Sequence, residues 1–234
     1  AVGGGYIDEN GNDIALPTIY QPEYSVNGLS GAWFEIYADE DITTPDGTIR
    51  YTKDTLVDTI TTDEKGTATS KLLYLGKYRV VETVAPYGTV INPEPHTVEL
   101  TYSGQNEKVT NTSTSFTNDR QKVEIDLTKI LEQDEKFNIG SNDEILNVSF
   151  GLYTDEDLKA SNGTVIPENG LIEIVTCDEK GKATFKTDLP IGKYYVKEIS
   201  TDNHYILSDK KYPVVFEYAG QDTADHHHLQ RYEL

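Results

Sequence analysis

The chain predicts an all-β protein built as two tandem antiparallel sandwiches, and three observations predict it. Short alternating runs of Tyr, Val, Thr and Ile recur between turn residues, which is the period-2 signature of half-buried strands. The residue types agree, since 16 Tyr and no Met, with frequent Thr and Val, favour strands over helices. The third observation is a repeat. Phe150-Gly151-Leu152-Tyr153-Thr154-Asp155-Glu156-Asp157 answers Phe34-Glu35-Ile36-Tyr37-Ala38-Asp39-Glu40-Asp41, and Asp178-Glu179-Lys180-Gly181 answers Asp63-Glu64-Lys65-Gly66. The copies are displaced by 115 or 116 positions, as in Gly181 against Gly66 and Gly192 against Gly76. That period is too long for a solenoid and suits one ordinary domain per copy. The expected boundaries are 1–119 and 120–234.

In order along the chain, residues 1–24 are rich in Gly, Asn, Asp and Pro, with Ile14–Tyr20 able to form a short edge strand. Asp8, Asn10 and Asn12 resemble the start of a calcium loop, but no glutamate closes it, and a plain turn fits better. Strands are expected at Trp33–Tyr37, Leu56–Thr61, Thr67–Tyr74, Tyr78–Val84, His96–Tyr102 and Ser115–Asn118, about seven per copy in all. Asp63-Glu64-Lys65-Gly66 reads as a hairpin turn, Pro93 and Pro95 break the chain, and Ser103-Gly104 turns it again. The join Asp119–Val123 has neither Pro nor Gly, so the last strand of one copy should lead directly into the first strand of the next.

Composition narrows the function. Of 234 residues, 36% are hydrophobic and 26% charged, with 40 acidic against 20 basic and a formal net charge of −20. Such a chain repels phosphate backbones and anionic membranes, so no nucleic-acid partner and no membrane contact are expected. No apolar run approaches the roughly 20 residues of a membrane helix. A sequence that starts at Ala1 without methionine is expected to be excised from something longer. The single Cys177 can form no internal disulfide and reads as a passive strand residue. Three adjacent histidines, His226–His228, cannot all face one ion on a strand. The acidic loops Asp39–Asp41 and Asp155–Asp157 read as solvated, so no metal or cofactor is expected.

One stretch breaks the pattern. In Tyr78-Arg79-Val80-Val81-Glu82, period 2 puts Tyr78, Val80 and Glu82 on one face, and that face otherwise reads as buried. Gly192-Lys193-Tyr194-Tyr195-Val196-Lys197-Glu198 repeats the anomaly with Glu198.

Tyr78-x-Val80-x-Glu82-Thr83-x-Ala85-Pro86-x-Gly88 resembles the E-box of Gram-positive pilins. From about Thr18 onward, both copies resemble the Cna B-type, SpaA-like domains of cell-wall-anchored pilins and adhesins. The resemblance implies immunoglobulin-like (prealbumin-like) β-sandwiches. It also implies an intramolecular isopeptide bond between a lysine on the first strand and an asparagine on the last, assisted by the E-box glutamate. Burial favours the neutral forms of an amine and of a carboxyl. A neutral amine is a nucleophile, and a protonated carboxyl can polarise the amide carbonyl and pass a proton to the departing ammonia. Such chemistry runs once per molecule, so no turnover enzyme is expected. By analogy with a disulfide closing a loop of about 100 residues, the link would stabilise by about 4–5 kcal/mol.

Carried over residue by residue, the second copy has Lys129 as candidate nucleophile and Glu198 as assisting carboxyl. Its acceptor position, 13 residues beyond Gln221, falls on Leu234. The first copy has Glu82 and, 13 residues beyond Gln105, Asn118 as candidate acceptor. Gln21 lies nearest its lysine position, and no lysine precedes Lys53. Lys129 also reads as an ordinary surface lysine and Asn118 as a turn residue before Asp119-Arg120. No bond is expected in this chain, although the second copy would close if an asparagine followed Leu234.

The expected function is a stalk or spacer of a bacterial cell-surface pilin-like or adhesin-like protein, monomeric in solution, extracellular, and wall-anchored through regions outside this sequence. Its partners would be the rest of a multidomain surface protein. The alternative is an adhesin module for a host protein or glycan, with Tyr20, Tyr24, Trp33 and Tyr51 as candidate contacts. No nucleophile, histidine and acid arrangement suggests an enzyme.

Overall fold

The computed structural model describes residues 5–7, 13–15 and 17–229, with side chains from residue 17 to 224. Asp8, Asn10 and Asn12 and the side chains of His226–His228 lie outside what it describes. The strands are β1 (Gly5–Ile7), β2 (Asp13–Ala15), β3 (Trp33–Ala38), β4 (Ile42–Thr43), β5 (Ile49–Tyr51), β6 (Leu56–Thr61), β7 (Gly76–Val84) and β8 (His96–Leu100). After them come β9 (Lys122–Thr128), β10 (Ser149–Thr154), β11 (Leu158–Lys159), β12 (Val165–Ile166), β13 (Leu171–Thr176), β14 (Lys182–Phe185), β15 (Gly192–Ser200), β16 (Lys211–Phe216) and β17 (Asp225–Leu229). One short 3-10 turn, Glu144–Asn147, is the helical element among the described residues.

The chain forms two compact units. The first comprises Ser25–Gln121 with Ala219–Ala224, and the second comprises Ala1–Tyr24, Lys122–Tyr218 and Asp225–Leu234. Residues up to Tyr24, expected with the first copy, thus belong with the second. Ile19 makes a parallel bridge to Leu171 and Tyr20 N–H donates to Leu171 O at 2.8 Å. Tyr24 Oη donates to Asp188 O at 3.0 Å.

The second unit is a complete two-layer sandwich. One sheet has the order β13-β10-β15-β16 and the other β14-β9-β17. Antiparallel pairing prevails, but β17 runs parallel to β9, with Asp225 opposite Lys122 and Leu229 opposite Asp126. Alternation explains the packing. On β9, Ile125 and Leu127 are buried, on β16, Tyr212, Val214 and Phe216, and on β10, Phe150 and Leu152. Together with Tyr194, Val196, Ala183, Phe185 and Leu189 they build one core.

The first unit repeats only half of this. Its sheet, β6-β3-β7-β8, matches strand for strand, but Thr67–Tyr74 and Ser115–Asn118, both expected as strands, form no ladder. The cause is the missing middle strand. In the second unit β9 lies between β14 and β17, and among the described residues nothing occupies that place in the first. Two flanking segments without a centre have no strand between them to pair with. The side chains that would face it are less covered. Ala68, Leu73, Val98 and Leu100 are half-buried, whereas their counterparts Ala183, Leu189, Val214 and Phe216 are at most 2% exposed.

Candidate functional site

Each unit buries one glutamate on its central sheet, on the face that period 2 assigns. Tyr78, Val80 and Glu82 on β7 are buried, as are Tyr194, Val196 and Glu198 on β15. Glu82 lies opposite Phe34 and Glu198 opposite Phe150. In both sheets the register slips at the adjoining residue, between Trp33 and Phe34 and between Ser149 and Phe150. A bulge at that point re-aims the strand end beside the carboxylate. The tyrosines lock the same strands from the other end. Tyr78 Oη donates to Tyr74 O at 2.7 Å and Tyr194 Oη to Pro190 O at 2.6 Å. Burial, with a smaller contribution from Tyr51, pushes the Tyr78 hydroxyl up to about 12. Burial, then Tyr24 and Glu156, raises that of Tyr194.

The two carboxylates are also held alike. Glu82 Oε2 accepts from Asn92 N–H at 2.7 Å and Glu198 Oε2 from Ser208 N–H at 3.0 Å, each from a loop residue ten positions on. Neither Oε1 has a hydrogen-bond partner. A charged oxygen buried without a partner costs free energy, so it marks a place where a third group belongs.

In the second unit that group is the predicted lysine. Lys129 Nζ lies 3.4 Å from Glu198 Oε1, with the lysine side chain 12% and the glutamate 1% exposed. Lys129 is set there by β9, which ends one residue earlier, and by its own N–H donating to Gly181 O at 2.8 Å. Gly181 has φ +74°, and a Cβ there would fall 2.1 Å from Lys129 O, so the glycine permits the close approach. The Lys129 side chain is half-buried beside Glu198.

In the first unit Glu82 meets the asparagine at its other oxygen, Oε2. Asn118 Nδ2 donates to Glu82 Oε2 at 2.7 Å and to Val90 O at 3.0 Å. The end of the E-box positions it. Thr89 N–H donates to Pro86 O across a turn in which Gly88 has φ +84°, and Gln121 N–H donates to Gly88 O. Thr89 bridges Arg120, and Val90 N–H donates to Asp119 O, which lays the Asn118 segment against the E-box loop.

The structure therefore brings together Lys129 with Glu198, and Glu82 with Asn118, and it assembles neither triad. The first unit's counterpart of Lys129 is not Gln21 but Gly28, because Gly28 abuts Gly66 as Lys129 abuts Gly181. A side chain at Gly28 would meet Lys65 O at 1.9 Å, so the position is closed to lysine as the chain lies.

Sequence reasoning missed three kinds of residue. The loop donors Asn92 and Ser208 carry no local signal, being backbone groups. Gln121, 2% exposed, accepts from Ala219 N–H at 2.8 Å and donates to Thr223 O at 2.6 Å within the first unit. Gln221 accepts from Ala85 N–H at 2.9 Å, and its recurrence opposite Gln105 was the available hint. Cys177 is buried and close enough to feel the site. Burial, then Asp178 and Glu198, push its thiol up to about 11, with Lys129 pulling the other way. Below that value the thiol is neutral and poorly nucleophilic. Iodoacetamide at pH 8 is expected to leave Cys177 unmodified in the native protein and to alkylate it in denaturant, and rapid native labelling read by mass would refute this. Of the aromatic candidates, Tyr20 packs on the second unit's core and Tyr51 on the first unit's. Trp33 is half exposed.

The SpaA prealbumin-like fold domain family matches residues 22–115 and again 133–227. Among solved structures, the Bacillus anthracis TIE protein is 23% identical with a TM-score of 0.52, over 88% of this chain and 31% of that one. This chain thus spans about a third of that protein. The minor pilin GBS52 of Streptococcus agalactiae (19% identity, TM-score 0.29, 86% of this chain and 83% of that one) also matches. So does BcpA, the major pilin subunit of Bacillus cereus (13% identity, TM-score 0.26, 88% and 94%). No curated protein matches this sequence.

Proposed function

Because the chain belongs to the SpaA prealbumin-like fold domain family, we propose that it is a two-module spacer of an extracellular, bacterial pilin-like or adhesin-like protein. The observation that carries this reading is the parallel pairing of β9 with β17 in the second unit. Tension entering at the start of β9 and leaving at the end of β17 loads that ladder in shear. Its hydrogen bonds must then fail together and not one at a time, which suits a load-bearing module. The half-buried Lys129, one residue past the end of β9, meets the buried Glu198 of β15. There an amide bond from Lys129 Nζ to a carboxamide on a neighbouring strand would carry the force past the hydrogen bonds altogether. The chemistry modifies the protein itself and turns over no substrate.

Two measurements test the reading. Saturable binding to a host glycan or matrix protein, abolished by Trp33→Ala, would overturn the spacer assignment in favour of an adhesin. Intact mass under denaturing conditions is expected to equal the full sequence mass, since neither unit assembles lysine, glutamate and asparagine together. A deficit of one ammonia would show a closed bond that this arrangement does not provide.

A further inference from the structure

The two units differ in charge on the outer face of their four-stranded sheets. In the first unit the charges on that face are paired. Arg79 Nη1 lies 3.1 Å from Asp54 Oδ1 and 3.4 Å from Asp39 Oδ1, Lys77 stands opposite Glu99, and Tyr37 Oη donates to Glu35. The second unit has Tyr195 for Arg79, Asn169 for Asp54, Val215 for Glu99 and Gly151 for Glu35. Its own cations on the face are Lys193, Lys197 and Lys211, which point outward because Tyr194, Val196 and Tyr212 beside them are buried. Lys197 stands directly opposite Lys211, and like charges so placed cost stability. No outward strand position on this face carries Asp or Glu. Among the described residues no carboxylate lies within ion-pair distance of the three ammonium groups. Glu156 accepts the backbone N–H of Lys193 at 3.0 Å, not its ammonium.

The decisive detail is Asn169. Like Asp54 it has a left-handed backbone, φ +62° against +64°. Its N–H donates to Thr154 O at 2.9 Å, as that of Asp54 does to Ala38 O at 2.8 Å. Asp54 neutralises a guanidinium, whereas the carboxamide of Asn169 holds an ammonium without neutralising it. Asn169 Oδ1 accepts from Lys211 Nζ at 3.0 Å and from Tyr195 Oη at 2.9 Å, and Lys211 Nζ lies 4.0 Å from the centre of the Tyr195 ring. The cation is therefore fixed in place by neutral groups. Beside it Tyr153 stacks on Tyr195, with ring centroids 5.1 Å apart and planes 10° from parallel. The Tyr153 ring reaches over Gly151, where a Cβ would fall 2.7 Å from it. With no counterpart of Glu35, the Tyr153 hydroxyl has no partner among the described residues.

We propose that this face of the second unit binds an acidic polysaccharide, a chain of sugars bearing carboxylate and sulfate groups. Lys193 and Lys197 stand four residues apart on one strand, about 13 Å, with Lys211 beside Lys197. That spacing suits a chain of anions and not one small ion. The Tyr153 ring and hydroxyl give a sugar a surface to lie on and a hydrogen bond. An acidic peptide fits less well. Peptides add to sheets by pairing along an edge, and the edge strand here, β16, carries Pro213, which has no N–H to offer. The net charge of −20 does not prevent binding, because at 0.15 M salt charges more than about 8 Å away are largely screened and the local lysines decide. The proposal goes beyond the spacer reading, since a spacer can carry such a face without ceasing to be one.

The test titrates the whole chain with a heparin octasaccharide at 0.15 M salt, beside a neutral dextran oligosaccharide and a polyglutamate peptide of equal charge. Saturable binding is expected for the heparin fragment alone. Asn169→Asp keeps the size and backbone of the residue and pairs Lys211 as Asp54 pairs Arg79, so it should weaken binding by about tenfold. Lys193→Gln combined with Lys197→Gln should weaken it at least as much. Trp33→Ala, in the other unit, should leave it unchanged. No saturable binding, equal binding of polyglutamate, or an affinity that Asn169→Asp leaves unaltered overturns the proposal. None of these results bears on the spacer reading, which falls only with binding that Trp33→Ala abolishes.

Discussion

Glu198→Ala is expected to destabilise the second unit by about 3 kcal/mol, because it strands Lys129 in a site built for an ion pair. The lysine side chain is 12% exposed and its partner 1% exposed, so water can rescue the ammonium only in part. Ser208 N–H loses its acceptor as well. Combining Glu198→Leu with Lys129→Met should recover most of the loss, since apolar replacement of a buried pair is often neutral or stabilising. Urea unfolding supplies the readout, with two transitions expected from two separate cores. If the double variant is as unstable as Glu198→Ala, the cost lies in the glutamate's other contacts and not in the pair.

Phe150→Ala is expected to cost the second unit about 3–5 kcal/mol, the range for truncating a fully buried aromatic. Phe150 is 1% exposed on β10 between two sheet neighbours, with β9 covering the opposite layer. The matching change in the first unit, Phe34→Ala, should cost about 1 kcal/mol less or better, because the cavity cost depends on how far the surroundings can collapse. Phe34 is 7% exposed and packs against Phe116 in a tilted ring pair, with ring centroids 4.8 Å apart, in a core that lacks one strand among the described residues. Equal losses in the two units, at unchanged denaturant slopes, would show that the uncovered layer contributes nothing to how the first core responds.

What was legible in the sequence was whatever depends on local period and local turn chemistry. The repeat, the strands of the two main sheets, the Asp63 and Asp178 turns and the inward face of Glu82 and Glu198 all follow from alternation and from side chains that bond their own backbone. The resemblance added which residues to look for, and geometry then placed Lys129 against Glu198 and Asn118 against Glu82. Less legible was the first unit's missing layer. Thr67–Tyr74 has much the same pattern as its counterpart, and a strand pattern states only that a segment can pair. Whether it does depends on a third segment far away in sequence, and Pro17–Tyr24 lies with the second unit.

By itself, then, the sequence determined the fold class, the tandem organisation and the two buried glutamates, because a period of two is set residue by residue along one strand. Only the tertiary structure decided that each glutamate meets one member of the lysine and asparagine pair and not both. That outcome depends on which strand lies beside which, and a ladder hydrogen bond exists only when both of its distant halves are present.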